Sequence, residues 1–291
     1  MSLQVRIETA ISDATGQAAS IAETKTAQGG CINDSRIVTL KDGRTFFIKT
    51  HPETGSTPGM FETEFEALEL LSEPNVIHIP KPIAYADDFI VMETFKQGKP
   101  AKDWQEQMGR SLAELHRATV YDRFGFDRDN YLGTTVQINS WQDNWLIFWC
   151  EQRLGWQLKL FSTRTGKDDA LLIAADQLMN KLDDLIGDID EPSVLLHGDL
   201  WSGNAAANEK GGPVIFDPAS YYGHREAEIG MMRLFGGFGP ICEAAYEEVW
   251  PLQDGSEQRI TLYRLYHELN HLNLFGSGYY QTCLSTIHSL L

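Results

Sequence analysis

Two different periods of apolar residues run through this chain. From Ser20 to Thr50 short alternating runs are broken by Gly29-Gly30 and Asp42-Gly43, which predicts strands over 20–26, 36–40 and 45–50 with a tight hairpin at the Asp-Gly pair. Residues 1–20 carry a loose helical period (Val5, Ile7, Ile11, Ala14, Ala18) and read as a helix leading into those strands. Thr57-Pro58 starts a second helix, in which Phe61, Phe65, Leu68 and Leu71 form one stripe. At roughly 100° per residue, Glu64 falls between Leu68 and Leu71 on that stripe, while Glu62, Glu66 and Glu69 fall opposite. A carboxylate on the buried side demands a partner, and Lys49 in the third strand is the available cation. A Lys49–Glu64 pair is the expectation.

Segments 83–86 and 89–92 flank Asp87-Asp88 as another short hairpin, after which Glu93 to Pro100 is polar and turn-rich. This is the best boundary in the chain and divides it into 1–95 and 96–291. Beyond it the pattern is mainly helical. Trp104, Met108, Leu112 and Leu115 line one helix face, Trp141, Trp145, Phe148, Trp149 and Trp156 are spaced near three and four and read as a core helix stripe, and 168–189 reads as one amphipathic helix. The apolar runs Val194–Leu196 and Val214–Phe216, with the turn Glu209-Lys210-Gly211-Gly212 between them, suggest a hairpin that returns Asp217 beside Asn204.

Composition narrows the class. With 291 residues, 42% of them hydrophobic, the chain can bury a large core. Its purely apolar runs, Trp145 to Cys150 among the longest, are too short to cross a bilayer. The balance of 24 basic against 41 acidic residues, a net charge of −17, argues against nucleic acid or an anionic membrane as partner and favours a cationic small substrate. Four cysteines (Cys31, Cys150, Cys242, Cys283) without pairing or metal-site spacing fit a reduced, cytoplasmic protein.

The candidate chemistry lies between Ser193 and Pro218, where His197-Gly198-Asp199 is followed by Asn204 and then Asp217. Phosphoryl transfer from ATP needs a carboxylate to orient the acceptor hydroxyl and oxygen ligands to hold Mg²⁺ on the phosphates. Asp199 suits the first task, Asn204 and Asp217 the second. The alternative is a loop whose Asp and Asn only cap turns. Upstream, the glycine pair Gly29-Gly30 with Cys31 and Ile32 would let backbone N–H groups approach a phosphate, and Lys49 would reach the α and β phosphates. The match of His267-Glu268-Leu269-Asn270-His271 to a zinc-hydrolase pattern lacks an evident third ligand, and is read as incidental.

His197-Gly198-Asp199 with Asn204 and Asp217 resembles the catalytic and metal segments of the protein-kinase-like fold, in the His-Gly-Asp form of aminoglycoside phosphotransferases, choline kinases and fructosamine kinases. Gly29 to Asn33, the Lys49 strand, the Glu64 helix, His197 to Asn204 and Phe216-Asp217-Pro218-Ala219 together look like the fructosamine kinase (ketosamine-3-kinase) family. Phe124-Gly125-Phe126, Asn139 to Gln142, Arg153-Leu154, Tyr222-Gly223-His224, Phe235 to Phe238 and Tyr266 through Gly276 extend the resemblance over nearly the whole chain.

The resemblance implies an α+β, bilobal protein-kinase-like fold: a small antiparallel-sheet N-lobe with one helix and a larger, mainly helical C-lobe. It implies ATP and Mg²⁺ as cofactors, a hinge at Glu93, Thr94 and Phe95 that pairs with adenine, and phosphorylation of the sugar 3-hydroxyl of small-molecule or protein-bound ketosamines. Trp201 is then a candidate to stack on the sugar adduct, Glu226 and Glu228 candidates to hold its cationic amine, and Cys31 a thiol whose oxidation would inhibit. Gly198 stands where protein kinases have arginine, and Asp217 precedes Pro218 rather than Phe-Gly, so control by a phosphorylated activation loop is not expected. An aminoglycoside- or choline-type phosphotransferase and a nucleotide-binding regulator without turnover stay open, as does the choice between monomer and homodimer.

Overall fold

The computed structural model of the protein describes residues 1–27, 34–51, 57–165, 169–187 and 189–291. The first elements are α1 (Leu3–Thr15), β1 (Ile21–Thr26), β2 (Asp34–Leu40), β3 (Thr45–Thr50), α2 (Met60–Ser72), β4 (Pro82–Ala86), β5 (Phe89–Glu93) and α3 (Trp104–Ala118). Then come β6 (Val120–Tyr121), β7 (Asn130–Leu132), β8 (Thr135–Gln137), α4 (Trp145–Phe148), a π-helical turn over Trp149–Leu154, α5 (Gly155–Thr165), α6 (Ala170–Met179) and α7 (Leu182–Ile186). The rest comprises β9 (Ser193–Leu196), β10 (Ala205–Ala207), β11 (Pro213–Ile215), β12 (Tyr221–Gly223), α8 (Glu226–Leu234), α9 (Pro240–Val249), α10 (Ser256–Phe275) and α11 (Tyr280–Leu290). Among the described residues no helix is long and apolar enough to cross a membrane.

Packing divides the chain into Met1–Trp104 with Gly203–Pro218, and Gln105–Ser202 with Ala219–Leu291. The stretch carrying Asn204 and Asp217 therefore belongs to the N-terminal unit, although it lies late in the sequence.

In the N-terminal unit five antiparallel strands take the order β1-β2-β3-β5-β4. The period of two sorts β3: Phe46 and Ile48 join Val38, Leu40, Phe89 and Val91 in a core with Ile7 and Ile11 of α1, which leaves Lys49 on the other face. Among its described residues the unit thus holds two helices rather than one, because Ile7 and Ile11 give the lead-in segment a buried stripe of its own. Helix α2 starts at Met60, later than Thr57-Pro58 suggests, behind a left-handed Gly59. It buries Phe61, Glu64, Leu68 and Leu71 as its period dictates.

The C-terminal unit centres on the twenty-residue α10, whose Tyr263 and Tyr266 pack edge-on to Trp149, with Trp145 donating to the Tyr263 hydroxyl at 2.9 Å. Of the aromatic stripe, Trp145, Phe148 and Trp149 are buried where α4 runs into the π-turn at Trp149–Leu154, whereas Trp156 is half-buried in α5 and Trp141 lies in the loop before α4, outside any helix. The single helix expected over 168–189 is instead α6 and α7, broken at Asn180-Lys181. Strand β9 lies between β12 and β6, so the run Val194–Leu196 is a central strand of its own small sheet. The hairpin partner of β11 is β10, the alanine run after Asn204.

Candidate active site

In the N-terminal unit the helix period of α2 and the strand period of β3 bring Glu64 and Lys49 together. Lys49 Nζ donates to Glu64 Oε1 and to Asp217 Oδ1, each at 2.5 Å. The Lys49 and Glu64 side chains are 8% and 5% exposed, whereas the Asp217 side chain keeps 38%. Burial alone would depress the Lys49 ammonium, but the Asp217 and Glu64 carboxylates outweigh it and raise its pKa, so it stays charged. Burial pushes the Glu64 carboxyl up; Lys49 pulls it back, and Asp217 shares the same ammonium.

Asp217 has φ +63°, a left-handed conformation that a non-glycine residue keeps only when its surroundings impose it. The surroundings here are the β10–β11 hairpin. Phe216 N donates to Asn204 O at 3.0 Å, and Asn204 Nδ2 donates to Asp217 O at 3.4 Å. The hairpin thus sets Asn204 beside Asp217 across its open end.

The hinge candidates belong to the same unit. Glu93 N donates to Lys81 O at 2.8 Å, the Thr94 hydroxyl lies 2.7 Å from that of Thr45, and the Phe95 ring lies 6.0 Å from that of Phe216, next to Asp217. Gly29, Gly30, Cys31, Ile32 and Asn33 lie outside the described residues, and so does the thiol that Cys31 would offer to oxidation.

In the C-terminal unit the loop after β9 carries Asp199. Gly198 has φ +80°, and a Cβ there would lie 2.1 Å from Ala219 O, so only glycine lets the loop approach the strand leading to β12. Ala219 N donates to His197 O at 2.9 Å, Asp199 N to His197 Nδ1 at 3.3 Å, and Trp201 N to Asp199 O at 3.1 Å. Glu228 of α8 holds the loop from beneath: His197 N donates to its Oε2 at 2.5 Å and Gly198 N to its Oε1 at 3.1 Å.

Glu228 is 1% exposed and Glu226 is fully buried, with Oε1 and Oε2 each accepting from Arg259 at 2.7 Å. Neither carboxylate is left for a cationic amine, which corrects their reading as substrate residues. The signal that distinguishes them is the apolar company of α8, where Ala227, Ile229, Met231 and Met232 are buried with them. His267 and Glu268, of the zinc-like pattern, are buried in α10. Among the described residues no group of three or more His, Cys, Asp or Glu side chains is arranged to hold a metal ion. Mg²⁺ needs no such group when phosphates complete its shell, and the Asn204 amide and Asp217 carboxylate supply hard oxygens in the number it takes from protein.

The profile of the fructosamine kinase family matches residues 3–291. The chain belongs to that family. It is 43% identical over 283 residues to a chloroplastic protein-ribulosamine 3-kinase of Oryza sativa subsp. japonica, covering 95% of this chain and 81% of the relative. It is 35% identical over 301 residues to the ketosamine-3-kinase of Mus musculus, covering 93% and 96%. The crystal structure of the choline kinase LicA from Streptococcus pneumoniae, only 14% identical, covers 99% of both chains with a TM-score of 0.66. That likeness places the family member within the protein-kinase-like fold.

Proposed function

We propose that this protein is an ATP- and Mg²⁺-dependent kinase that phosphorylates the sugar 3-hydroxyl of ketosamines, free or protein-bound, as a cytoplasmic deglycation step. The phosphotransfer part rests on one observation: a buried Lys49 ammonium held at 2.5 Å by both Glu64 and Asp217. The acceptor class rests on the family and on the names of the rice and mouse relatives.

Bound Mg·ATP supplies the phosphoryl group and the cation that neutralises its charge. Lys49, oriented by Glu64, would bind the α and β phosphates, and Asn204 and Asp217 would hold the cation. Gly29 to Ile32 would cover the phosphates, and Glu93 to Phe95 would receive the adenine. Asp199 would accept the acceptor hydroxyl's proton, on a loop whose His197 and Gly198 amides are fixed by Glu228. Trp201 would stack on the adduct.

The test is ATP consumption across ribulose-, erythrulose- and fructose-derived lysine adducts, with kanamycin and choline as controls. Turnover confined to the ketosamines is expected. Turnover confined to a control would replace the acceptor assignment and leave the kinase assignment standing. A 3-phosphate sits next to the double bond formed when the C2 ketone enolises toward C1, so the product should lose phosphate and release lysine. Mass spectrometry over time should show the phosphorylated adduct first and free amine later; a stable phosphorylated product would point to another hydroxyl.

A further inference from the structure

Beyond Trp201 the C-terminal unit carries a run of rings that the proposed chemistry does not use. The Phe235 ring lies 5.7 Å from Trp201, edge-on, and His271 lies 4.9 Å from Phe235, again edge-on. Phe275 and Tyr279 follow at 5.5 and 5.2 Å from His271. Phe235, the residue capping α8, is 43% exposed and Phe275, the last of α10, 58%, although either position could have turned a polar residue outward. Contiguous exposed aromatic surface of this kind marks a binding surface more often than a scattered exposed leucine does.

The position of the run is built, not incidental. Gly237 has φ +98°, and a Cβ there would lie 2.2 Å from the Cβ of Ser202, so only glycine lets the loop after α8 lie against the residue next to Trp201. Gln105 pins the same loop, its Nε2 donating to Gly237 O at 2.9 Å and its Oε1 accepting from Gly239 N at 3.1 Å. Phe235 is thereby fixed beside Trp201. At the far end, His271 and Phe275 stand one turn apart on α10, and the 3-10 turn Ser277–Tyr279 folds Tyr279 back toward them. Burial lowers the His271 pKa, so its ring is neutral near pH 7 and repels no cation.

The geometry points to Phe235, Phe275 and Tyr279 as a subsite for the carrier of the ketosamine, meaning the lysine methylenes and the peptide that flanks them. The inference rests on the proposed acceptor class. Its occupant is set by continuity: the run begins two residues from Asp199, where the sugar hydroxyl would react, and leads outward by successive ring contacts. A lysine adduct has this order, with the sugar first, a cationic secondary amine next, and then an alkyl chain leading to backbone. Aromatic faces suit both a cation and methylenes, and a chain of net charge −17 suits a basic peptide.

The test compares two adducts of the same ketose, one on ammonia and one on the lysine of a blocked pentapeptide. The wild-type protein is expected to show a KM for the peptide adduct about tenfold below that for the ammonia adduct, the size of one or two ring contacts. Phe235→Ala with Phe275→Ala should erase most of that difference while kcat for the peptide adduct stays within about twofold, because the rings bind rather than react. Ile241→Ala, which removes another exposed apolar side chain (57%) outside the run, should leave the KM ratio as in wild type. If the alanine variants lose cooperative unfolding, Phe235→Leu and Phe275→Leu, which keep bulk without a ring face, carry the same expectation. Equal KM values in wild type, or a ratio that survives ring removal, would overturn the subsite alone. A shift in sedimentation on ring removal with the KM ratio intact would do so too, assigning the run to self-association. Absence of turnover with every ketosamine would overturn the acceptor class and the subsite together.

Discussion

Each unit of this protein buries a cation against carboxylates, and the two are built to different ends. In the N-terminal unit a single ammonium is shared by Glu64, which is buried, and by Asp217, which keeps 38% exposure and a left-handed backbone. In the C-terminal unit Arg259 directs its fork at both oxygens of Glu226 and two further N–H groups at the carbonyls of Gln253 and Asp254. Arg225 does the same with Glu191, Trp250 O and Pro251 O, and lies over the Trp250 ring at 4.4 Å. A planar guanidinium with four of its five donors so committed, and its carboxylate face already filled, has no fork left to offer another anion. An ammonium that shares a half-exposed, strained carboxylate can exchange that partner for a phosphate oxygen. Burial of charge is common to both clusters, so burial does not mark a site; the exposed, strained member does.

The comparison is tested hardest where function is expected and structure is not. Asp199→Asn keeps the shape of the loop and the Glu228 contacts to its amides, but removes the proton acceptor. Turnover is expected to fall by about 10²- to 10⁴-fold. Mg·ATP affinity by calorimetry and the thermal midpoint should hold. A folded Asp199→Asn protein with near-normal turnover would remove Asp199 from its proposed role.

The converse change is Arg259→Met. It strands a fully buried Glu226, so a loss of about 3–5 kcal/mol in urea unfolding is expected. The fraction still folded should turn over substrate normally. Lost activity without lost stability would mean that the two clusters do not differ in kind.

A finer division comes within the N-terminal cluster. Lys49→Met and Glu64→Gln, singly and together, should show a coupling of about 0.5–3 kcal/mol in kcat/KM, since the two groups touch. Simple additivity would dissolve the pair as a working unit.

The same contrast explains what the sequence shows and what it hides. Periodicity places Glu64 on the buried stripe of α2, because that depends only on the period of its own element, and Lys49 follows as the cation available to it; that α1 covers the opposite face of the sheet comes from tertiary packing. The return of Asp217 to Asn204 is legible from the Glu209–Gly212 turn, but the pairing strand is not. Val194–Leu196 and Ala205–Ala207 are both short and apolar, and only the tertiary pairing of β9 with β12 and β6 decides between them. The burial of Glu226 and Glu228 is hidden for a related reason. They stand shortly after Asp217 in the chain, which favours a ligand role, whereas Arg259, which occupies Glu226, lies 33 residues away in sequence, beyond any local pattern. The π-turn at Trp149–Leu154 spans only six residues, too few to shift the apolar period of the helices around it.

The smallest expected effect concerns His267, whose place in a zinc-like pattern invites a functional reading and whose surroundings give a structural one. Burial, with His271 and Arg153 adding to it, lowers its pKa to about 3. The sign follows from the proton count. Below the ordinary histidine pKa of about 6.5 the unfolded chain takes up a proton that the folded chain refuses until about pH 3, so stability falls as pH falls through that window. His116 and His271, also lowered by burial, act in the same direction, while Glu191, held down to about 2, gives up its stabilisation only as pH falls from the ordinary glutamate range toward 2, below the window compared. His267→Gln removes one of these titrations and leaves the others. Between pH 7.5 and 5.5 the wild-type protein should lose about 1 kcal/mol more unfolding free energy than His267→Gln does, read from urea midpoints at the two pH values. Equal losses would mean that His267 titrates as an exposed histidine, and the buried polar groups of α10 would then have to be reconsidered as a site.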